Sequence, residues 1–259
     1  MPAALAAFEF PPVSHLFEWP VVILDGTPLA INKTVVLTGA AALLTIGFFV
    51  LGSRKRALVP SGFQNLAESS YELVEENIAV EVMGAEDGKR WTPFLTSLFF
   101  FIFFMNIFEV IPGIQFPPTS RIAIPALLAI IVWLMMIFLG MKTQGVGGYF
   151  KSSLFPPGVP KVLYLLVTPI EFISTFLVRP FSHAVRLFAN MMAGHILLTT
   201  FALLSAALWL GKWNAIFLPL PVVGGAAMTG FEVLVAVLQA YIFTILTAVY
   251  IGGSLHPEH

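Results

Sequence analysis

The sequence predicts an all-α polytopic membrane protein: about five membrane helices, the last two long and tilted, plus one amphipathic surface helix. Three observations point there. Of 259 residues, 58% are hydrophobic and only 10% are charged, with a mean hydropathy of +0.91, whereas an average soluble domain is roughly a quarter charged. Several apolar stretches reach the roughly 20 residues that cross a bilayer. Alternating strands of about 10 residues with turn signals are absent, which argues against an outer-membrane barrel. The same composition excludes a soluble enzyme, and the lack of cysteine excludes a disulfide module. A net charge of -1 offers no basic field for nucleic acid.

Residues 1–33 read as an irregular outside tail with at most a short helix around His15–Trp19. Pro2, Pro11, Pro12, Pro20 and Pro28 interrupt it. It holds Glu9, Glu18 and Asp25 and no basic residue before Lys33, unlike a signal peptide. The first span is 34–51. Arg54, Lys55 and Arg56 follow at once, which places them in the cytoplasm and the N-terminus outside.

Segment 62–83 is an amphipathic helix. Phe63, Leu66, Leu73, Val74, Ile78 and Val82 recur at helical spacing, while Glu68, Glu72, Glu75, Glu76 and Glu81 make it too polar to span. Its acidic face argues against anionic lipid and suits a protein partner or bulk water. A helical hairpin follows at 91–141. Lys89 and Arg90 precede an outward span, 91–111. A Pro-rich outside loop, 112–121, leads to an inward span, 122–141. Lys142, Lys151 and Lys161 mark an inside loop, where Gly145, Gly147, Gly148, Pro156, Pro157 and Pro160 predict loop rather than helix.

The last pair occupies 162–252. From 162 to 210 the chain stays apolar for longer than one straight span needs. It is either strongly tilted or broken near Pro169 and Pro180. Lys212, Pro219 and Pro221 form an outside turn, and a helix over 223–252 returns to a short inside tail. No inverted repeat of the kind found in transporters is present.

Glu109, Glu171, Arg179, Arg186 and Glu232 lie within these spans, joined by Asn106, His183, Asn190, His195 and Gln239. A charge in the bilayer costs at least ~2.5 kcal/mol and marks an ion or proton path by default. For Glu109 and Arg179, near span ends, snorkelling is the competing explanation. Arg186 is too deep to snorkel and cannot lose its proton. At 3.6 residues per turn, Arg179, Ser182, Arg186, Ala189, Asn190, Ala193 and Leu197 share one face. Small residues there admit a close partner helix, which would carry the missing anion. On the last helix, Gly225, Glu232, Ala236, Gln239, Phe243 and Tyr250 share a face.

The inferred topology gathers Asn106, Glu109, His195 and Glu232 in the outer half and leaves Glu171 in the inner half. Arg186 lies between, a rise of roughly 22 Å from Glu171 and about 13 Å from His195 along a straight helix. This layout reads as two half-paths separated by a positive plug.

The stretch 179–195, RPFSHAVRLFANMMAGH, resembles the signature of subunit a of F-type ATP synthases, and Leu238-Gln239-Ala240-Tyr241-Ile242-Phe243 with Tyr250 resembles that family's C-terminal helix. The likeness extends over most of the chain. It implies a membrane stator beside a rotating c-ring, within an H+-transporting complex that makes ATP and not an enzyme by itself. The partners it implies are the c-ring against the Arg186 face, b-type peripheral stalk subunits, the lipid bilayer and H+; no cofactor or metal is implied. Arg186 matches the arginine that attracts the c-subunit carboxylate and blocks leakage between half-channels. Asn190 and Gln239 match polar positions near that arginine, and Ser182 lies near it on the same helical face. His195 and Glu232 match an acid–imidazole pair, swapped as in mitochondrial-type members. Asn106 and Glu109 match the outer half-channel and Glu171 the inner one, one residue further from the arginine than in the family. His183 stands where many members have an apolar residue, and packing is the favoured reading. The expected location is a bacterial plasma membrane, with an organelle inner membrane as the alternative.

Three other readings have less support. An autonomous transporter or channel would pair Arg186 within the chain. A metal or quinone subunit would space its histidines as ligands, which His15, His183, His195, His256 and His259 do not. A structural anchor has no reason to bury Arg186.

Overall fold

The computed structural model describes residues 31–54, 57, 59–155, 159–210 and 214–256. The expected tail and short helix at 1–30, the cations Lys55, Arg56 and Lys212, and the end 257–259 lie outside the described residues. Among the described residues no β-sheet is built, and five helices are long and apolar enough to cross a membrane.

Helix α1, Lys33–Gly52, starts where the Asn32 side chain accepts a hydrogen bond from the Val35 backbone N–H at 3.1 Å, a standard N-cap. Helix α2, Phe63–Val74, continues through a π-helical turn, Glu75–Val80, into Glu81–Met83. It buries Val74, Ile78 and Ala79 and leaves Glu68, Glu72, Glu76 and Glu81 exposed. Gly84, at φ 80, reverses the chain into α3, Ala85–Ile107. Helix α3 therefore begins before Lys89 and Arg90 and stops four residues short of the expected end. Gly88 lets its first turn press on the backbone of Ala79 and Val80, where any side chain would collide.

Helix α4, Ala123–Leu154, corrects one expectation. The segment after 141 is helical, with Gly147 and Gly148 inside it. The break is confined to Gly145, whose φ 74 and ψ 161 only glycine adopts readily. The chain bends there, and the Tyr149 ring settles against Gly140. Helix α5 runs from Tyr164 to Leu210 in three continuous segments: Tyr164–Ile173, a π turn Ser174–Val178, and Arg179–Leu210. Neither proline breaks it. Pro180 has no N–H to give the preceding turn, and the wider π turn sits at that point. Helix α6 is Pro219–Leu255.

Lipid tails are as apolar as these side chains, so helix association rests on close packing and not on escape from water. Helix α6 packs on α3, α4 and α5, while α1 rests on α2 and α3. Between α1 and α3 the contact is aromatic: Phe48 stacks on Phe100 at 5.2 Å, and Phe49 meets the same ring edge-on at 5.1 Å. The short 3-10 turn Pro118–Ser120 touches α1, α3, α4 and α5, which fixes the 108–122 connection over one end of the bundle.

Candidate functional site

The site begins where α3 ends. Asn106 is buried, and its Oδ1 accepts a hydrogen bond from the Thr119 hydroxyl at 2.6 Å. Glu109 follows in the turn beyond Ile107, also buried. On α6, Glu232 is buried, and its carboxyl group presses on the backbone of Gly194 in α5. His195, next to Gly194, is buried and meets the Phe116 ring edge-on, with centroids 5.9 Å apart. Three helices thus converge on two acids, one imidazole and one amide.

A cavity of about 360 Å³ opens beside this cluster. Glu109, Gln115, His195, Thr199, Ser205 and Thr229 supply its polar lining. Asn106 Nδ2, Glu109 Oε1 and Glu232 Oε2 are buried without a hydrogen-bond partner among the described residues. A buried polar atom left unpaired costs about 1–3 kcal/mol, and these three lie close to one cavity.

Arg186 lies elsewhere. It is exposed on α5, as are Ala189, Asn190, Ala193 and Leu197. No ion pair joins it to a carboxylate among the described residues. The opposite face of the same helix buries Ala184, Leu187, Met191 and His195. The guanidinium is thus held outward, flanked by side chains small enough for another helix to approach.

The remaining sequence candidates are spread out. Ser182 is half-buried on α5. Gln239 is buried on α6, on the face shared by Glu232, Ala236 and Phe243. Glu171 is half-buried in the first segment of α5, away from the cluster around His195. His183 is buried against Phe243, ring centroids 3.7 Å apart, and against Tyr250 at 5.6 Å. Arg179 lies over the same Tyr250 ring at 5.7 Å. A larger cleft, about 1060 Å³, is lined by α1, α2, α3 and α4 and contains none of these residues.

Thr119, Gln115, Phe116 and Thr199 are not among the residues the sequence singles out. Three of them lie on the 108–122 connection, where no periodicity reports which side chain turns inward. Thr199, four residues after His195 on α5, was legible in principle, being on the same helical face.

The model of the family described as ATP synthase A chain matches residues 34–252. The chain belongs to that family. ATP synthase subunit a of Frankia alni is 45% identical over 253 residues, covering 96% of this chain and 87% of that protein. Its counterpart in Rhodococcus erythropolis is 42% identical over 258 residues, 98% of this chain and 94% of the relative. Its counterpart in a Parafrankia strain is 48% identical over 225 residues, 86% and 76% respectively. The family match extends from the second residue of α1 to near the end of α6, so it includes both the buried cluster and the Arg186 face.

Proposed function

We propose that this chain is the proton-conducting stator of a rotary ATP synthase in a bacterial plasma membrane, with its N-terminus outside and its C-terminus cytoplasmic. One observation carries the reading: Arg186 is a permanent cation on an exposed, small-residue face of a helix long and apolar enough to cross a membrane, with no carboxylate paired to it among the described residues. Such a charge requires an anion from a neighbour. A ring of c-subunits, each with one carboxylate, supplies that anion and moves it past. Peripheral stalk subunits of b type hold the stator against the ring.

On the outer side, a proton passes Asn106 and Glu109 to His195 and Glu232, and from there to a c-subunit carboxylate. Neutralised, that subunit can turn into lipid without carrying a bare charge. After nearly a full turn it meets the inner path at Glu171 and releases its proton. Arg186 favours the ionised carboxylate by attraction; it drives release on one side and bars direct passage to the other. Ser182, Asn190 and Gln239 provide polar contacts along the approach. The membrane potential, worth about 2.3 kcal/mol per charge per 100 mV, biases the rotation. An imidazole in the path suits H+ rather than Na+, which wants a shell of oxygen ligands.

The test is ATP-driven acidification of inverted vesicles carrying the whole complex, with and without Na+. Acidification independent of Na+ is expected. A strict Na+ requirement would contradict the proton reading.

A further inference from the structure

We propose that Phe116, clamped by Lys33, is the positioning residue that fixes the His195 ring in the outer path. Phe116 is fully buried on a connecting segment rather than in a helix. One contact of its ring is the edge-on meeting with His195, at 5.9 Å and 88°. Another is the Lys33 ammonium, 5.5 Å from the ring centre. The same ammonium donates a hydrogen bond to the Ile114 carbonyl at 2.7 Å. Lys33 is the first residue of α1, so the first helix reaches across to hold the loop that packs on α5.

Backbone geometry supports the clamp. Gln115, between the two contacts, adopts φ 40, a left-handed conformation that few residues other than glycine accept. Such strain persists only where neighbours over-determine it. Here Lys33 fixes the carbonyl before Gln115 and the ring after it. The Gln115 N–H also donates to the Ile111 carbonyl at 3.1 Å, closing the turn. Gln115 lines the cavity together with His195 and Glu109. Buried on α5 but pressed by a flat ring, the imidazole keeps one orientation relative to that cavity.

The proposal rests on the proton path above, and the test separates the two. Among the described residues, the ionisable groups around His195 are Glu109 after α3, Glu232 on α6 and, behind Phe116, Lys33 on α1; Arg186 lies on the opposite face of α5. ATP-driven acidification by inverted vesicles carrying the whole complex is measured across pH for the native chain, Phe116→Leu, Lys33→Met, Lys33→Arg and His195→Ala. Phe116→Leu and Lys33→Met are expected to lose about threefold to tenfold in rate, the worth of one aromatic contact. Both should displace the pH profile on the limb that His195→Ala alters, while Lys33→Arg, which keeps a cation over the ring, retains the native profile. Lys33→Met leaves the core filled, so it decides the matter even where Phe116→Leu does not assemble. Native profiles for Lys33→Met and Phe116→Leu, beside an altered one for His195→Ala, would overturn the clamp and leave the path standing. A native profile for His195→Ala would overturn both.

Discussion

The Glu232 carboxyl group fills the space that a Cβ at Gly194 would occupy, so α5 and α6 meet through an acid and a bare backbone. That contact puts the acid one residue from His195. It also ties the chemistry of the site to a packing requirement.

Gly194→Ala should therefore damage the protein twice. Overpacking costs typically about 1–3 kcal/mol, read as a lower thermal midpoint of the solubilised complex. Displacement of Glu232 should also depress ATP-driven acidification. Combining Gly194→Ala with Glu232→Ala should restore the midpoint, because the colliding carboxyl is gone, but not the pumping. A single variant as stable as the native chain would contradict the contact.

The Asn106–Thr119 hydrogen bond ties the end of α3 to the Pro118–Ser120 turn. Thr119→Val keeps the shape and removes the donor. It should cost about 1–3 kcal/mol, since the Asn106 carbonyl oxygen is then buried without a partner. Faster hydrogen exchange over 108–120 is the measurement, and Thr119→Ser should exchange as the native chain does.

Gly145 should tolerate no side chain. Its backbone lies in a region essentially restricted to glycine, so Gly145→Ala should cost of order 1–3 kcal/mol. The loss should appear as a lower thermal midpoint and as easier proteolysis between 141 and 155. Gly147→Ala, at a helical position with open space around it, should be neutral or slightly stabilising.

Much of this architecture was legible in the sequence because membrane helices announce themselves by length and hydropathy. The face of α6 carrying Glu232, Ala236, Gln239 and Phe243 followed from helical arithmetic, and it is the buried face. The outward face of α5 at Arg186, Ala189, Asn190 and Ala193 followed in the same way. What escaped was local or long-range. The glycines at 145, 147 and 148 look alike in sequence, yet only Gly145 leaves the helix, because one bend suffices to fold Tyr149 back onto Gly140. Prolines 169 and 180 look like breaks, yet the helix continues through both with a π turn between them. Thr119 and Phe116 reach the site across loop positions whose inward turn depends on contacts with α1 and α5, and spacing along the chain carries no record of those.

Arg186 carries the central claim, and one measurement addresses it directly. Inverted vesicles bearing the complete complex with Arg186→Ala are compared with native vesicles for ATP-driven acidification. A proton-translocating stator predicts that acidification vanishes in the variant although the complex still assembles. Acidification at the native rate would contradict the role assigned to Arg186 and, with it, the plug between two half-paths.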